Sequence, residues 1–147
     1  MLKYITLAAA AGFFTPLQAL VNARTSHILG GALWATLVNF AVGTLMLVLI
    51  LALIRAPVPT LEQVGRVPFY GWISGLAGVL FVAQAAYTVP KLGAAAMLAL
   101  VIAGQMFGSI AYDHFGVLQA SQPVSWQKIA GAALLLAGVW LILRPGE

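Results

Sequence analysis

Neutral amide side chains lie inside long apolar stretches of this chain, where an unpaired hydrogen-bonding group is costly. Gln18 and Asn22 are four residues apart and therefore share one face of a predicted helix. Asn39, Gln84 and Gln105 lie in three further apolar stretches. Such amides either join helices by hydrogen bonds of about 0.6 to 2 kcal/mol each or line a polar cavity that binds a small solute. We predict that all five bind substrate.

Charged side chains are absent from the middle of every apolar stretch. Proton-coupled pumps generally keep an acid or a histidine at that depth. The nearest acid is Asp113, which we expect to be an interfacial residue beside His114, with a coupling role as the alternative. Because His27 and His114 lack metal-site spacing and the chain has no cysteine, we predict no metal and no cofactor. No activated nucleophile, carboxylate pair or phosphate-cradling loop is recognisable, so we do not expect an enzyme.

The apolar stretches are long enough to cross a membrane. A helix needs about 20 residues to span the bilayer. The apolar part of the last stretch, Ile129 to Leu143, is 15 residues and spans only if Lys128 and Arg144 extend to the interfaces. The sequence therefore predicts an all-α membrane protein with one domain, 1–147, whose five spans lie at about 4–23, 28–54, 68–89, 92–112 and 126–144. We expect short turns from Arg24 to His27 and from Pro90 to Gly93.

The topology charges are almost balanced between the two sides of the predicted membrane. A clear Lys/Arg excess in short loops orients a membrane protein. Here the two sides carry four and three such residues, so we expect the chain to insert in both orientations. The alternative is that one charge suffices. Lys3, Arg55, Arg66 and Lys128 lie on one side, and Arg24, Lys91 and Arg144 on the other.

Composition supports this class of protein. Hydrophobic residues make up 63% of the chain and charged residues 7%, against roughly 45–50% and 25% in soluble domains. The net charge of +4 is spread singly over the predicted helix ends, whereas a nucleic-acid binder gathers its basic residues on one face. We therefore predict the lipid bilayer and a small solute as partners, and no nucleic acid.

Small residues recur within the spans and permit close helix packing. Gly104 and Gly108 form a G-x-x-x-G pattern in the fourth span, where packing inside one bundle is the simpler interpretation. Gly131 and Gly138 lie on one face of the fifth span. We expect that face to form part of a homodimer seam.

Four segments of the chain match a known family pattern: PLQALVNAR (16–24), GALWATLVNFAVG (31–43), VPKLGAA (89–95) and AGQMFGSIAYDHFG (103–116). They resemble the YdcZ-like proteins of the drug/metabolite transporter superfamily. The likeness covers nearly the whole chain, and the Gly104-Gln105 and Asp113-His114-Phe115-Gly116 pieces are its most specific parts.

This resemblance implies a bacterial inner-membrane location and five spans per unit. It also implies kinship with the small multidrug resistance exporters, which work as antiparallel dimers. Those exporters carry a membrane-embedded Glu in their first helix, where this chain offers Gln18 and no acid. The departure argues against a cationic substrate and against simple proton antiport.

Together, these observations predict a small dual-topology transporter. An odd-span unit inserted both ways can pair as an inverted dimer, and many transporters place the solute site between inverted repeats. We expect an antiparallel homodimer that moves a small polar or amphipathic organic solute by alternating access. The alternatives are a passive facilitator or channel of the same fold, and a membrane scaffold or accessory subunit that transports nothing.

Overall fold

The computed structural model describes residues 1–118 and 120–144, and within these ranges the chain is helical with no strand. It divides into two compact units, with the first running from Met1 to Lys91 and the second beginning at Leu92. The helices are α1 (Leu2–Leu29), α2 (Ala32–Leu53), α3 (Leu61–Gly65), α4 (Phe69–Leu92), α5 (Ala94–Phe115) and α6 (Trp126–Leu143).

Five of these helices are long and apolar enough to cross a membrane, namely α1, α2, α4, α5 and α6. The prediction of an all-helical chain with five candidate spans is confirmed. Most large hydrophobic side chains on these helices are exposed in the isolated chain, as expected for surfaces that face lipid. The single-domain prediction stays a prediction.

The first helix does not end at the predicted turn. Arg24 to His27, expected to form a turn, continue α1 to Leu29 because no residue there breaks a helix. The helix ends instead at Gly30, whose left-handed backbone (φ 77°) brings the amides of Gly30 and Gly31 onto the carbonyl of Ser26. Consequently α1 is 28 residues long, and its Lys3 and Arg24 are separated by about 31 Å of helix, close to the ~30 Å of a hydrocarbon core.

The break between the third and fourth spans is also shorter than predicted. The expected turn from Pro90 to Gly93 reduces to Gly93 alone, with φ 78°. Pro90 is accommodated inside the last turn of α4, where a proline deprives only the carbonyl of Ala86 of its helical donor.

A short helix, α3, was not predicted, although the sequence contains its signal. Thr60 and Gln63 form a reciprocal capping box, in which each side chain accepts from the other residue's backbone amide. Glu62 pairs with Arg66 one turn later. This helix lies in the exposed connection between α2 and α4.

In the first unit, α1 and α2 pack as a helical hairpin joined at Gly30 and Gly31. The interface is made of small side chains, so the two backbones can approach closely. Phe40 of α2 reaches α4, where its ring lies 3.3 Å from the place that a Cβ on Gly78 would occupy. The buried residues of the hairpin are Ala19, Asn22, Ala23, Ala35 and Thr36.

In the second unit, α5 packs on α6 through Ala99, Ala103 and Val139, with Leu135 against them. Outside this apolar contact, Lys128 Nζ of α6 lies 3.1 Å from Asp113 Oδ2 near the end of α5, and both side chains are about one-third exposed. Asp113 is therefore paired with Lys128 within its own unit. The sequence predicted an interfacial acid beside His114, and the structure adds this ion pair.

Candidate functional site

Three of the five candidate amides form a hydrogen-bonded chain across the hairpin. Gln18 Nε2 donates to Asn39 Oδ1 at 3.3 Å, and Asn39 Nδ2 donates to Asn22 Oδ1 at 3.2 Å. Asn39 thus uses both ends of its amide to join two residues of the neighbouring helix. We call Gln18, Asn39 and Asn22 the amide chain.

The helical repeat explains this arrangement. Gln18 and Asn22 are one turn apart on α1 and present their amides to the same side. Asn39 lies on α2 at a height where one amide reaches both of them. The register follows from the tight Gly30–Gly31 connection, which places the two helices side by side.

Exposure differs sharply along the amide chain. Asn22 is only 4% exposed, Asn39 is half-buried and Gln18 is exposed. In the described part of the chain, the Oε1 atom of Gln18 has no hydrogen-bond donor. The amide chain is therefore anchored at Asn22 and offers an unused acceptor at Gln18.

Gln84 does not join the amide chain. Thr88 donates its hydroxyl to the Gln84 backbone carbonyl at 2.7 Å and lies 3.3 Å from its Oε1 atom. Both contacts stay within α4, so they stabilise that helix face without linking helices. The substrate-binding role assigned to Gln84 stays a prediction.

Gln105 belongs to the second unit and is exposed on α5. Its side chain makes no hydrogen bond to the described residues. The predicted convergence of Gln105 with the amides of the first unit stays a prediction.

A cavity of about 350 Å³ opens one helical turn beyond the amide chain, entirely within the first unit. Ser26 lines it and continues the face of α1 that carries Gln18 and Asn22, since the three are spaced four residues apart. We call this the mouth cavity. Its walls are Ser26, His27, Gly30, Gly31, Ala32, Ala86, Tyr87, Pro90 and Lys91.

Sequence reasoning missed the mouth cavity because it assigned Ser26, His27, Pro90 and Lys91 to turns and the other five lining residues to two separate spans. A signal did exist, since Tyr87 and Lys91 are four apart on one helix face. In the structure the Lys91 ammonium lies 3.7 Å from the centre of the Tyr87 ring, a cation–π contact of about 0.5–1 kcal/mol at an exposed site.

Comparisons with known proteins agree with the segments noted in the sequence. The family model described as "Putative inner membrane exporter, YdcZ" matches residues 3–141. The chain is 31% identical over 146 residues to the inner membrane protein YdcZ of Escherichia coli (strain K12), with 98% of each chain covered. No solved structure matches the chain. Both matches include the amide chain and every residue of the mouth cavity.

Proposed function

Because the chain belongs to the YdcZ family of inner-membrane exporters, we propose that it is a transporter that moves a small polar or amphipathic organic solute by alternating access. The protein is a multi-pass protein of the bacterial inner membrane, with five helices able to span it. The family resemblance noted in the sequence is confirmed. The export of a particular solute class is our proposal.

The amide chain is the observation that carries this proposal. A network needed only to hold α1 and α2 together would be complete with Asn22 and Asn39, whose hydrogen bond is the better buried of the two. Gln18 adds an exposed amide with an unused acceptor at a depth where lipid supplies no donor. A solute with hydroxyl or N–H groups satisfies that acceptor.

We further propose that the working unit is an antiparallel homodimer of chains inserted in opposite orientations. The four-to-three charge split supports dual topology. Pairing of inverted copies then presents each amide twice, so that a short set of residues can surround a solute near the midplane. The face of α6 with Gly131 and Gly138 is open to such a contact, because a Cβ at either position meets none of the described atoms of its own unit within 4 Å.

Transport is tested with purified protein reconstituted in liposomes. A solute library is first screened for binding by thermal shift, and each hit is then measured for saturable uptake and counterflow. Saturation with counterflow supports a transporter. Linear flux without counterflow supports a passive pore. The absence of both solute binding and flux supports a scaffold.

The Gln18→Leu variant links flux to the amide chain. We expect it to abolish solute binding and counterflow, with little loss of thermal stability. Val21→Leu is the matched control, because it places the same side chain at an exposed position of the same helix. Unchanged affinity in Gln18→Leu together with a lower melting temperature would remove Gln18 from the solute site.

A further inference from the structure

We propose that the mouth cavity binds the carboxylate or phosphate group of an anionic organic molecule, and that the transported solute is therefore an anion. This inference rests on the proposed function and names the chemical class of its solute. It starts from the charge of the walls. Among the residues that the structure describes, Lys91 and His27 line the cavity and no acidic side chain does.

Acidic residues are scarce throughout the first unit. Its one acid is Glu62, which is held by Arg66 in α3, in the connection that precedes α4. The mouth cavity lies at the other end of α4, around Pro90 and Lys91. Arg24 lies one turn before His27 on α1 and adds a second permanent cation, after Lys91, near the C-terminal end of α1.

The contact that holds the Lys91 ammonium is one that an anionic ligand can replace. Its ammonium rests on the Tyr87 ring rather than on a carboxylate, at 3.7 Å from the ring centre. A cation–π contact is weaker than a charge-assisted hydrogen bond to an oxyanion. An incoming carboxylate or phosphate can therefore engage the ammonium while the ring keeps the lysine at the cavity wall.

Backbone groups add to this preference. Gly31 is the N-cap of α2 and makes no side-chain hydrogen bond to the helix, so the first backbone N–H groups of α2 are available to other acceptors. These N–H groups begin at Ala32, which lies in the cavity wall. The facing end of α1 is less negative than an uncapped helix end, because the Ser26 carbonyl already accepts from Gly30 and Gly31.

Shape and position agree with a small organic ion. A cavity of about 350 Å³ is at the lower end of the usual ligand-pocket range of roughly 300–1,000 Å³. The Tyr87 ring and Ala86 supply apolar contact beside the cationic group. An anion held here is one turn of α1 from Asn22, at the entrance to the amide chain.

Binding is tested on purified protein in nanodiscs of phosphatidylcholine, with phenyl phosphate and benzoate as anionic probes. Benzylammonium and benzyl alcohol are the cationic and neutral probes of similar size. We expect saturable binding of the anions, at least tenfold tighter than the cation. Equal affinity for the cation, or no saturable anion binding, would overturn the proposal.

Variants localise the anion. Lys91→Met should weaken phenyl phosphate binding by about tenfold, and Lys91→Arg should retain it. The matched control is Lys3→Met, which removes a lysine from the opposite end of α1 and outside the cavity. Equal losses in Lys91→Met and Lys3→Met would refute the assignment of the site to this cavity.

A second arm identifies the source of the anionic group. Phosphatidylglycerol is introduced into the nanodiscs, and the apparent Kd of phenyl phosphate is measured again. A rise in the wild type that is absent in Lys91→Met shows a lipid headgroup in the same site, and no rise shows a site for soluble anions. A headgroup in the site keeps the anion-binding chemistry of the cavity but overturns the inference that the transported solute is a soluble anion, whereas no rise supports both.

Failure of this inference is distinguishable from failure of the proposed function. Counterflow of a solute from the screen without any anion binding at Lys91 leaves the transporter and removes the anion site. Anion binding that depends on Lys91 in a protein with no flux leaves the site and removes the transporter.

Discussion

Replacing Asn39 with leucine should destabilise the first unit more than any other single change in the amide chain. Asn39 is the shared partner of both hydrogen bonds, at 3.3 Å to Gln18 and 3.2 Å to Asn22. Hydrogen bonds between membrane helices average about 0.6 kcal/mol, with a maximum near 1.7. The substitution also leaves the Asn22 oxygen without its donor, on a residue only 4% exposed. An unsatisfied buried group costs about 1–3 kcal/mol.

The Asn39–Asn22 distance of 3.2 Å lies at the long end of the usual range for such hydrogen bonds, and the Gln18–Asn39 distance of 3.3 Å lies just beyond it. Both bonds should therefore be weak, and the total cost should fall in the lower part of the range of about 1–3 kcal/mol. We therefore expect a loss of about 1 to 2 kcal/mol in the free energy of unfolding. The measurement is reversible unfolding by SDS in mixed micelles, or steric trapping. Val38→Leu is the control, because it introduces the same residue at the preceding, exposed position of α2. Equal stability of Asn39→Leu and Val38→Leu would refute the reasoning.

A double-mutant cycle separates the two bonds. Gln18→Leu removes only the bond whose donor side chain is exposed, so its cost should be smaller than that of Asn39→Leu. Combined with Asn39→Leu, it should show a coupling energy near 0.6 kcal/mol. A coupling energy of zero would mean that Gln18 and Asn39 are not hydrogen-bonded in the membrane.

Three further predictions concern the backbone, the topology and the dimer. Gly30→Ala should lower the free energy of unfolding by about 1 kcal/mol, because Gly30 has a left-handed backbone. Gly31→Ala should lower it little, because Gly31 has an extended backbone. Unfolding measurements on both variants test the backbone effect alone, since neither new Cβ would meet a described atom of its unit within 4 Å. Arg55→Gly should equalise the Lys/Arg count of the two sides and so increase the fraction of chains in the orientation that the wild-type charges disfavour, as measured with C-terminal reporter fusions. Arg55→Lys should leave the fractions of the two orientations unchanged. A single orientation in the wild type would contradict dual insertion. Leucine at both Gly131 and Gly138 should reduce crosslinking through introduced cysteines on α6, and an undiminished dimer would place the seam elsewhere.

Hydropathy alone predicted the five membrane-crossing helices, since nothing but a helix satisfies the backbone of so many consecutive apolar residues in lipid. The helix ends were harder to predict. Arg24 to His27 look like a polar turn, yet the helix stops only where Gly30 can adopt a positive φ. The α3 helix was missed even though Thr60 and Gln63 have capping-box spacing, because five residues carry too little periodicity to stand out.

The candidate site was predictable in part. The spacing of Gln18 and Asn22 showed that they share a face, and burial of polar groups in lipid implied that they have partners. The identity of the partner, Asn39, depends on the register of α1 against α2, which follows from the turn geometry and not from either helix alone. For the mouth cavity, the spacing of Tyr87 and Lys91 was readable from the sequence, but Lys91 and His27 line one cavity only because of tertiary packing.

An anionic solute also accounts for the absence of an embedded acid in the sequence. A proton-coupled exporter needs a group that exchanges solute for proton within the membrane, and no span of this chain carries an acid in its middle. The membrane potential itself drives an anion outward, with about 2.3 kcal/mol per charge per 100 mV. In the proposed inverted dimer the two copies place their Lys91 cavities at opposite surfaces, so an anion is met by a cationic mouth on each side. Neutral amides between the two mouths then suffice, because they can hydrogen-bond the solute without holding it as a fixed opposite charge would.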